Sequence, residues 1–107
     1  MRTVMVRYKL KADRAAENES YIGKVFAQLE REKIPGVHYA TFKLDDGVSF
    51  VHIASIDVVD GVNPLTELSA FKAFTAGIKD RCEEIPVTTH LNEVGSYEFF
   101  GALTARR

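Results

Sequence analysis

The residues able to do chemistry in this chain are few, and most fall on alternating apolar stretches. His52 lies in FVHIASID, with Thr41 directly across a hairpin and Tyr39 on the diagonal. Arg7, on a neighbouring strand, is read onto the same face. An imidazole among hydroxyls and a guanidinium could pass a proton or hold an anion. The same residues could equally be a satisfied hydrogen-bond network within a subunit interface. Arg7, Tyr39 and His52 are therefore a candidate interface polar cluster. A second set is read on the opposite, helix-covered face. There His38 stands across from Ser55, with Tyr8, Phe42, Phe71 and Phe74 as apolar walls. An apolar cleft with a few polar groups is the usual form of a small-molecule site. Phe71 and Phe74, at helical spacing, serve equally well as plain core. Asn18 interrupts an apolar helical stripe, and once buried it needs a partner, either a ligand or a backbone carbonyl. The candidate pocket is thus Tyr8, Asn18, His38, Phe42, Phe71 and Phe74.

His38, His52 and His90 lack the spacing of a metal site, and Cys82 has no Cys or His near it in sequence. No G-x-G-x-x-G, P-loop, G-x-S-x-G or H-E-x-x-H occurs. No metal and no other cofactor is expected.

The elements that must position these groups are legible from periodicity. Residues 37–58 read as two strands joined by a type I′ turn at Asp46-Gly47, a dipeptide that tolerates positive φ. This turn sets Lys43 opposite Phe50, Thr41 opposite His52, Tyr39 opposite Ala54 and Val37 opposite Ile56. Residues 3–10 form a first strand, with Val4, Val6, Tyr8 and Leu10 toward helices and Thr3, Met5, Arg7 and Lys9 away from them. A helix is predicted over residues 14–33, capped by Asp13 and ended by Pro35-Gly36. Its stripe is Ala15, Ile22, Val25, Phe26 and Leu29, with Gln28 on the wet face. A second helix is predicted between Leu65 and Cys82, capped by Ser69 or Thr66, with Lys79 and Arg81 complementing its C-terminal dipole. A last strand is expected from Val87 to Val94, bent at Gly95 and continued as SYEFFGAL.

The order β-α-β-β-α-β is that of a ferredoxin-like plait: a four-stranded antiparallel sheet, strand order 4-1-3-2, helices on one face, an α+β fold in one domain spanning 1–107. The hairpin face carrying Tyr39, Phe50, Ala54 and Ile56, with Met5 beside it, is read as the uncovered one. A soluble monomer seldom leaves such a patch open, so a homodimer packed sheet to sheet is expected, with the aromatic tail laid on the partner. A net charge of −1 gives no basic surface for nucleic acid, and no nucleic-acid partner is expected. A single cysteine fits a reducing compartment. The alternating N-terminus is no signal peptide, and no stretch approaches a membrane span, so the expected location is cytoplasmic, with no membrane partner.

Three stretches carry a resemblance. They are the helix exit from Glu30 to Gly36, the strand FVHIASID, and NPLTELSAFKAFTAGIKDRC from Asn63 to Cys82. With these the chain resembles the dimeric α/β-barrel superfamily, and within it the small antibiotic-biosynthesis-monooxygenase-like proteins. The resemblance implies one of several activities. Some members oxidise polyketide-like aromatics with O₂ and no cofactor, and others degrade haem. Haem-degrading members typically use Asn, Trp and a second-helix His. This chain has no Trp, and no His between Leu65 and Cys82, which speaks against that activity. The oxygenase members often set Trp, Tyr, Asn and Arg around a quinol-type substrate, and no such set carries over here residue by residue. The expectation is a small-molecule-binding protein, a cofactor-independent monooxygenase acting on an apolar aromatic compound. The alternative is a dimeric binding or structural module without chemistry.

Overall fold

Strand β1, Arg2–Leu10, is built from alternating residues and lies at the centre of the sheet. The computed structural model describes residues 2–58 and 60–99. One turn of 3₁₀ helix, Ala12–Arg14, leads into helix α1, Ala15–Glu32. Strands β2, Val37–Lys43, and β3, Ser49–Ile56, follow as a hairpin. Helix α2, Ser69–Ala76, breaks at Gly77 into a single turn, α3, Ile78–Arg81, and strand β4 is Cys82–Leu91. The strands pair antiparallel in the order β2-β3-β1-β4. This is the expected plait, with both main helices on one face of the sheet. Among the described residues no helix is long and apolar enough to cross a membrane.

The hairpin register is the expected one, with Lys43 facing Phe50, Thr41 facing His52 and Tyr39 facing Ala54. The turn that sets it differs. Asp46 has no positive φ, and only Gly47 is left-handed, at φ 78°. The chain turns through Asp45-Asp46, closed by Gly47 N–H donating to Leu44 O at 3.0 Å. The Asp46 carboxylate then accepts from the amides of Val48 and Ser49 at 2.9 and 2.8 Å. Asp46 holds the turn through its side chain rather than its backbone, and the Ser49 hydroxyl, which also donates to it, together with these amides keeps its carboxyl below the usual carboxylate range.

The two faces of the hairpin are the reverse of the sequence reading. Strand β1 pairs Val4 with Ala54, Val6 with His52 and Tyr8 with Phe50. Paired residues share a face, so Phe50, His52, Ala54 and Ile56 join Val4, Val6 and Tyr8 beneath the helices. Phe50 is 2% exposed, and Ala54 and Ile56 are buried with it. Tyr39 stacks on Phe26 of α1 with ring centroids 5.1 Å apart. The set read as an exposed dimer face is therefore the protein's own core. The uncovered face carries Met5, Ala40, Phe42, Val51, Ile53 and Val87, with Phe42 and Val87 well exposed.

The helices also depart in detail. Asp13 caps nothing; it lies in the 3₁₀ turn, and α1 begins at Ala15, with Arg14 in the cap position making no side-chain cap bond. Helix α1 ends with Lys33 in the left-handed region, its N–H returning to Leu29 O. Gly36, at φ 77°, then passes so close to Asp57 that a Cβ there would lie 3.1 Å from the Asp57 Cβ. Gln28, expected in water, is buried. Its Oε1 accepts from the Ala70 amide at 2.9 Å and so caps the start of α2, a role neither Ser69 nor Thr66 takes. Asn63 instead holds the turn before α2, accepting from the Leu65 amide at 2.9 Å. Cys82 belongs to β4, paired with Leu10, and β4 ends at Leu91 rather than Val94. Residues 92–99 form no strand, and Tyr97 and Phe99 are exposed. Phe100 and the rest of the expected aromatic tail fall outside the described residues.

Candidate functional site

A cavity of about 290 Å³ lies between the sheet and α2. Val4, Val6, Ala54 and Ile56 form its floor, Phe71, Phe74 and Ile78 its roof, and Asn63, Leu65 and Thr66 one end. His52 lines its wall together with its hydrogen-bond partners Tyr8 and Tyr39. Strand alternation puts these three side chains on one face, because Tyr8 is next to Phe50 and Tyr39 next to Ala54 in the ladder.

Both ring nitrogens of His52 are engaged. Nε2 is 2.7 Å from the Tyr8 hydroxyl, and Nδ1 is 2.7 Å from the Tyr39 hydroxyl and 3.0 Å from Thr41 Oγ1. The ring is 4% exposed and packs against Tyr8, Tyr39 and Phe74 with centroids 5.3 to 5.8 Å away. Burial pushes the imidazole down to about 4, so it is neutral at physiological pH. Burial also pushes the Tyr39 hydroxyl up to about 12 and raises that of Tyr8, the latter opposed by the hydrogen bond from Asn18. Neither phenol ionises near neutrality.

Behind Tyr8 the network continues into the core. Asn18, fully buried on α1, donates from Nδ2 to the Tyr8 hydroxyl at 2.9 Å. Arg81 Nε donates to Asn18 Oδ1 at 3.3 Å, and its Nη2 donates to Phe74 O at 2.6 Å. Arg81 is 2% exposed and lies over the Tyr21 ring, its guanidinium carbon 4.6 Å from the centroid. Among the described residues no carboxylate pairs with it. The cation is held by a carbonyl, an amide and aromatic faces.

Two candidate sets are thus recombined. Tyr8, Phe71 and Phe74 line the cavity, and Asn18 supports it through Tyr8. His38 and Phe42 do not: β2 alternation places them on the uncovered face, His38 opposite Ser55 and Phe42 opposite Val51. The cluster Arg7, Tyr39 and His52 is split, because Arg7 pairs with Val51 and Val87 on that same uncovered face. Tyr39 and His52 belong to the cavity. Thr41 was correctly read opposite His52. Arg81 was missed as a site residue, and the one sequence signal was Gly77, whose break in the helix turns Arg81 inward. Among the described residues no group of three or more His, Cys, Asp or Glu could hold a metal ion.

No protein-family model and no curated relative matches the sequence. Solved structures match nearly the whole chain. One is a Nitrosomonas europaea protein classed with the antibiotic biosynthesis monooxygenases, at 16% identity and a TM-score of 0.72, covering 89% of this chain and 100% of its own. A Caulobacter crescentus protein of the same class is 23% identical, with a TM-score of 0.68, covering 88% and 90%. SnoaB of Streptomyces nogalater, a cofactor-independent oxygenase, is 18% identical, with a TM-score of 0.64, covering 89% and 94%. The chain has their fold. At these identities the likeness is one of architecture, and the site must be argued from its own residues.

Proposed function

We propose that the cavity binds a small, flat, largely apolar aromatic molecule carrying a hydroxyl or keto oxygen, and that O₂ oxidises it there without a cofactor. The observation that carries the reading is a neutral, doubly hydrogen-bonded His52, flanked by Tyr8 and Tyr39, in the wall of an aromatic-lined cavity. Apolar walls bury the rings of the ligand, and the few polar groups orient it. The fold likeness to a cofactor-independent oxygenase supports the chemical part. In the balanced reaction, a ring CH₂ activated by a conjugated oxygen becomes C=O. O₂ gives one atom to that carbonyl, and the other leaves as water with the two hydrogens. The substrate supplies all the electrons, and we assign the first proton to Nε2 of His52, passed on through the Tyr8 hydroxyl on the cavity wall. A metal-free preparation given anthrone-type compounds should consume O₂ and form the quinone, and His52→Gln should lose that activity while still binding. Binding with no O₂ consumption by any such compound would refute the oxygenase part.

One observation favours binding without chemistry. A buried imidazole at about 4 is a weak base in the empty site, so it takes a proton only if the substrate anion stays beside it. For this second reading the same assay gives saturable binding and no product. We further propose that two copies pair through the uncovered sheet face, where Met5, Phe42, Val51 and Ile53 leave an apolar surface opposite the helices.

A further inference from the structure

The hydrogen bonds behind His52 have a direction, and it can be read from the one member that cannot reverse. Arginine has donors and no acceptor. Arg81 Nε therefore faces the oxygen of Asn18, which fixes the amide and turns its NH₂ toward Tyr8. The Tyr8 oxygen accepts from that NH₂, and its single proton goes to the one remaining partner, Nε2 of His52. Nε2 is then the unprotonated nitrogen, and a neutral ring carries its proton on Nδ1. Nδ1–H points at the hydroxyls of Tyr39 and Thr41. With Nδ1–H as the donor, both hydroxyls accept from it, and among the described contacts neither hydroxyl proton has an acceptor within this group. Of the two hydroxyl residues, Tyr39 is the one on the cavity wall.

The geometry points to Arg81 and Asn18 as positioning residues that set the His52 tautomer and make the polar end of the cavity a hydrogen-bond donor, so that its ligand presents a keto or enolate oxygen to Tyr39. This narrows the ligand class and rests on the reading that the cavity binds an aromatic molecule. A site built to donate binds an acceptor-bearing ligand in preference to its plain hydrocarbon counterpart, because only the former satisfies the Tyr39 proton. A keto oxygen held there also gains strength as it becomes an enolate, the charge change needed before O₂ reacts. Neither Arg81 nor Asn18 touches the cavity; both act through Tyr8.

Nitrogen-15 NMR of the imidazole reads the tautomer directly, without a ligand. In the intact protein Nδ1 of His52 is expected to be the protonated nitrogen and Nε2 the bare one. Asn18→Asp replaces the donor by a carboxylate of the same shape, which lies against Arg81 and accepts from Tyr8. The relay should then reverse, moving the His52 proton to Nε2. Binding of 9-fluorenone and fluorene, one ring frame with and without a keto oxygen, reads the donor. The intact protein should bind fluorenone roughly tenfold more tightly. Tyr39→Phe should abolish the preference, bringing the ratio of the two affinities to about one. A proton on Nε2 in the intact protein overturns the relay and leaves the cavity reading standing. Equal affinity for the two probes, or a preference that survives Tyr39→Phe, overturns the donor end. If neither probe binds, the cavity reading falls and takes the keto assignment with it, whatever the tautomer.

Discussion

The proton affinity of His52 makes acid stability a direct report on the site. The free imidazole titrates at 6.5, and burial brings it down to about 4 in the folded chain. The groups facing it are Tyr8, Tyr39 and Thr41, and none of them titrates in that interval. The unfolded chain therefore binds a proton more readily than the folded one throughout the window from 6.5 down to about 4. Stability is full above that window, falls as pH falls through it, and flattens below. The whole shift is worth about 3 kcal/mol, and roughly 2.5 kcal/mol of it should go between about pH 7 and pH 4.5. Urea unfolding of the intact protein and of His52→Gln across that range isolates the contribution, since carboxylates such as Asp46 and Glu17 titrate in both. The intact protein should lose stability more steeply, and the variant should lack the extra slope. Parallel slopes, or a His52 ring proton signal with its midpoint near 6.5, would refute the account of a dry, neutral imidazole.

Three other outcomes follow from placements described above. Gln28→Ala removes the acceptor that caps α2 and should cost about 1 kcal/mol, with faster hydrogen exchange at the Ala70 amide; unchanged exchange there would show the cap to be idle. Phe50→Asp places a charge where 2% of the side chain is exposed, so circular dichroism should show an unfolded chain rather than a folded, dissociated one. The intact chain should sediment near twice its 12.0 kDa, and Phe42→Glu with Val87→Glu, both on the uncovered face, should bring it to monomer; a variant that stays dimeric puts the interface elsewhere.

The hairpin register was legible because strand alternation and a short turn leave one arrangement between Val37 and Ile56. Its facing was not. Both sides of the hairpin carry apolar residues, Tyr39 and Phe50 on one, Phe42 and Val51 on the other, so alternation alone does not say which meets the helices. The deciding fact is that Val6 pairs with His52, a relation between distant stretches that no local pattern encodes. The same holds for Gln28 and Arg81. Each is an ordinary helical polar residue by sequence, and each is buried because its terminal group meets a backbone atom of α2, Gln28 the Ala70 amide and Arg81 the Phe74 carbonyl. Asn18 announced itself because it broke an apolar stripe, which is a local signal. The strand start at Cys82 was hidden because Ile78 and Cys82 fit helical spacing as well as they fit a turn followed by a strand.

The two outside attachments of α2 have a mechanical consequence. Gln28 fastens the helix at Ala70 and Arg81 fastens it at Phe74, so one wall of the cavity is pinned near both ends to other elements. A pinned wall cannot hinge outward without breaking a buried polar contact, and breathing of the cavity must be drawn from its other boundary. That boundary is the run from Asp60 to Leu68, with Asp60 and Gly61 left-handed, Val62 half exposed, and the Asn63 turn at the cavity rim. For the ligand proposed above, exchange is expected to run through this short loop while the orienting groups stay still.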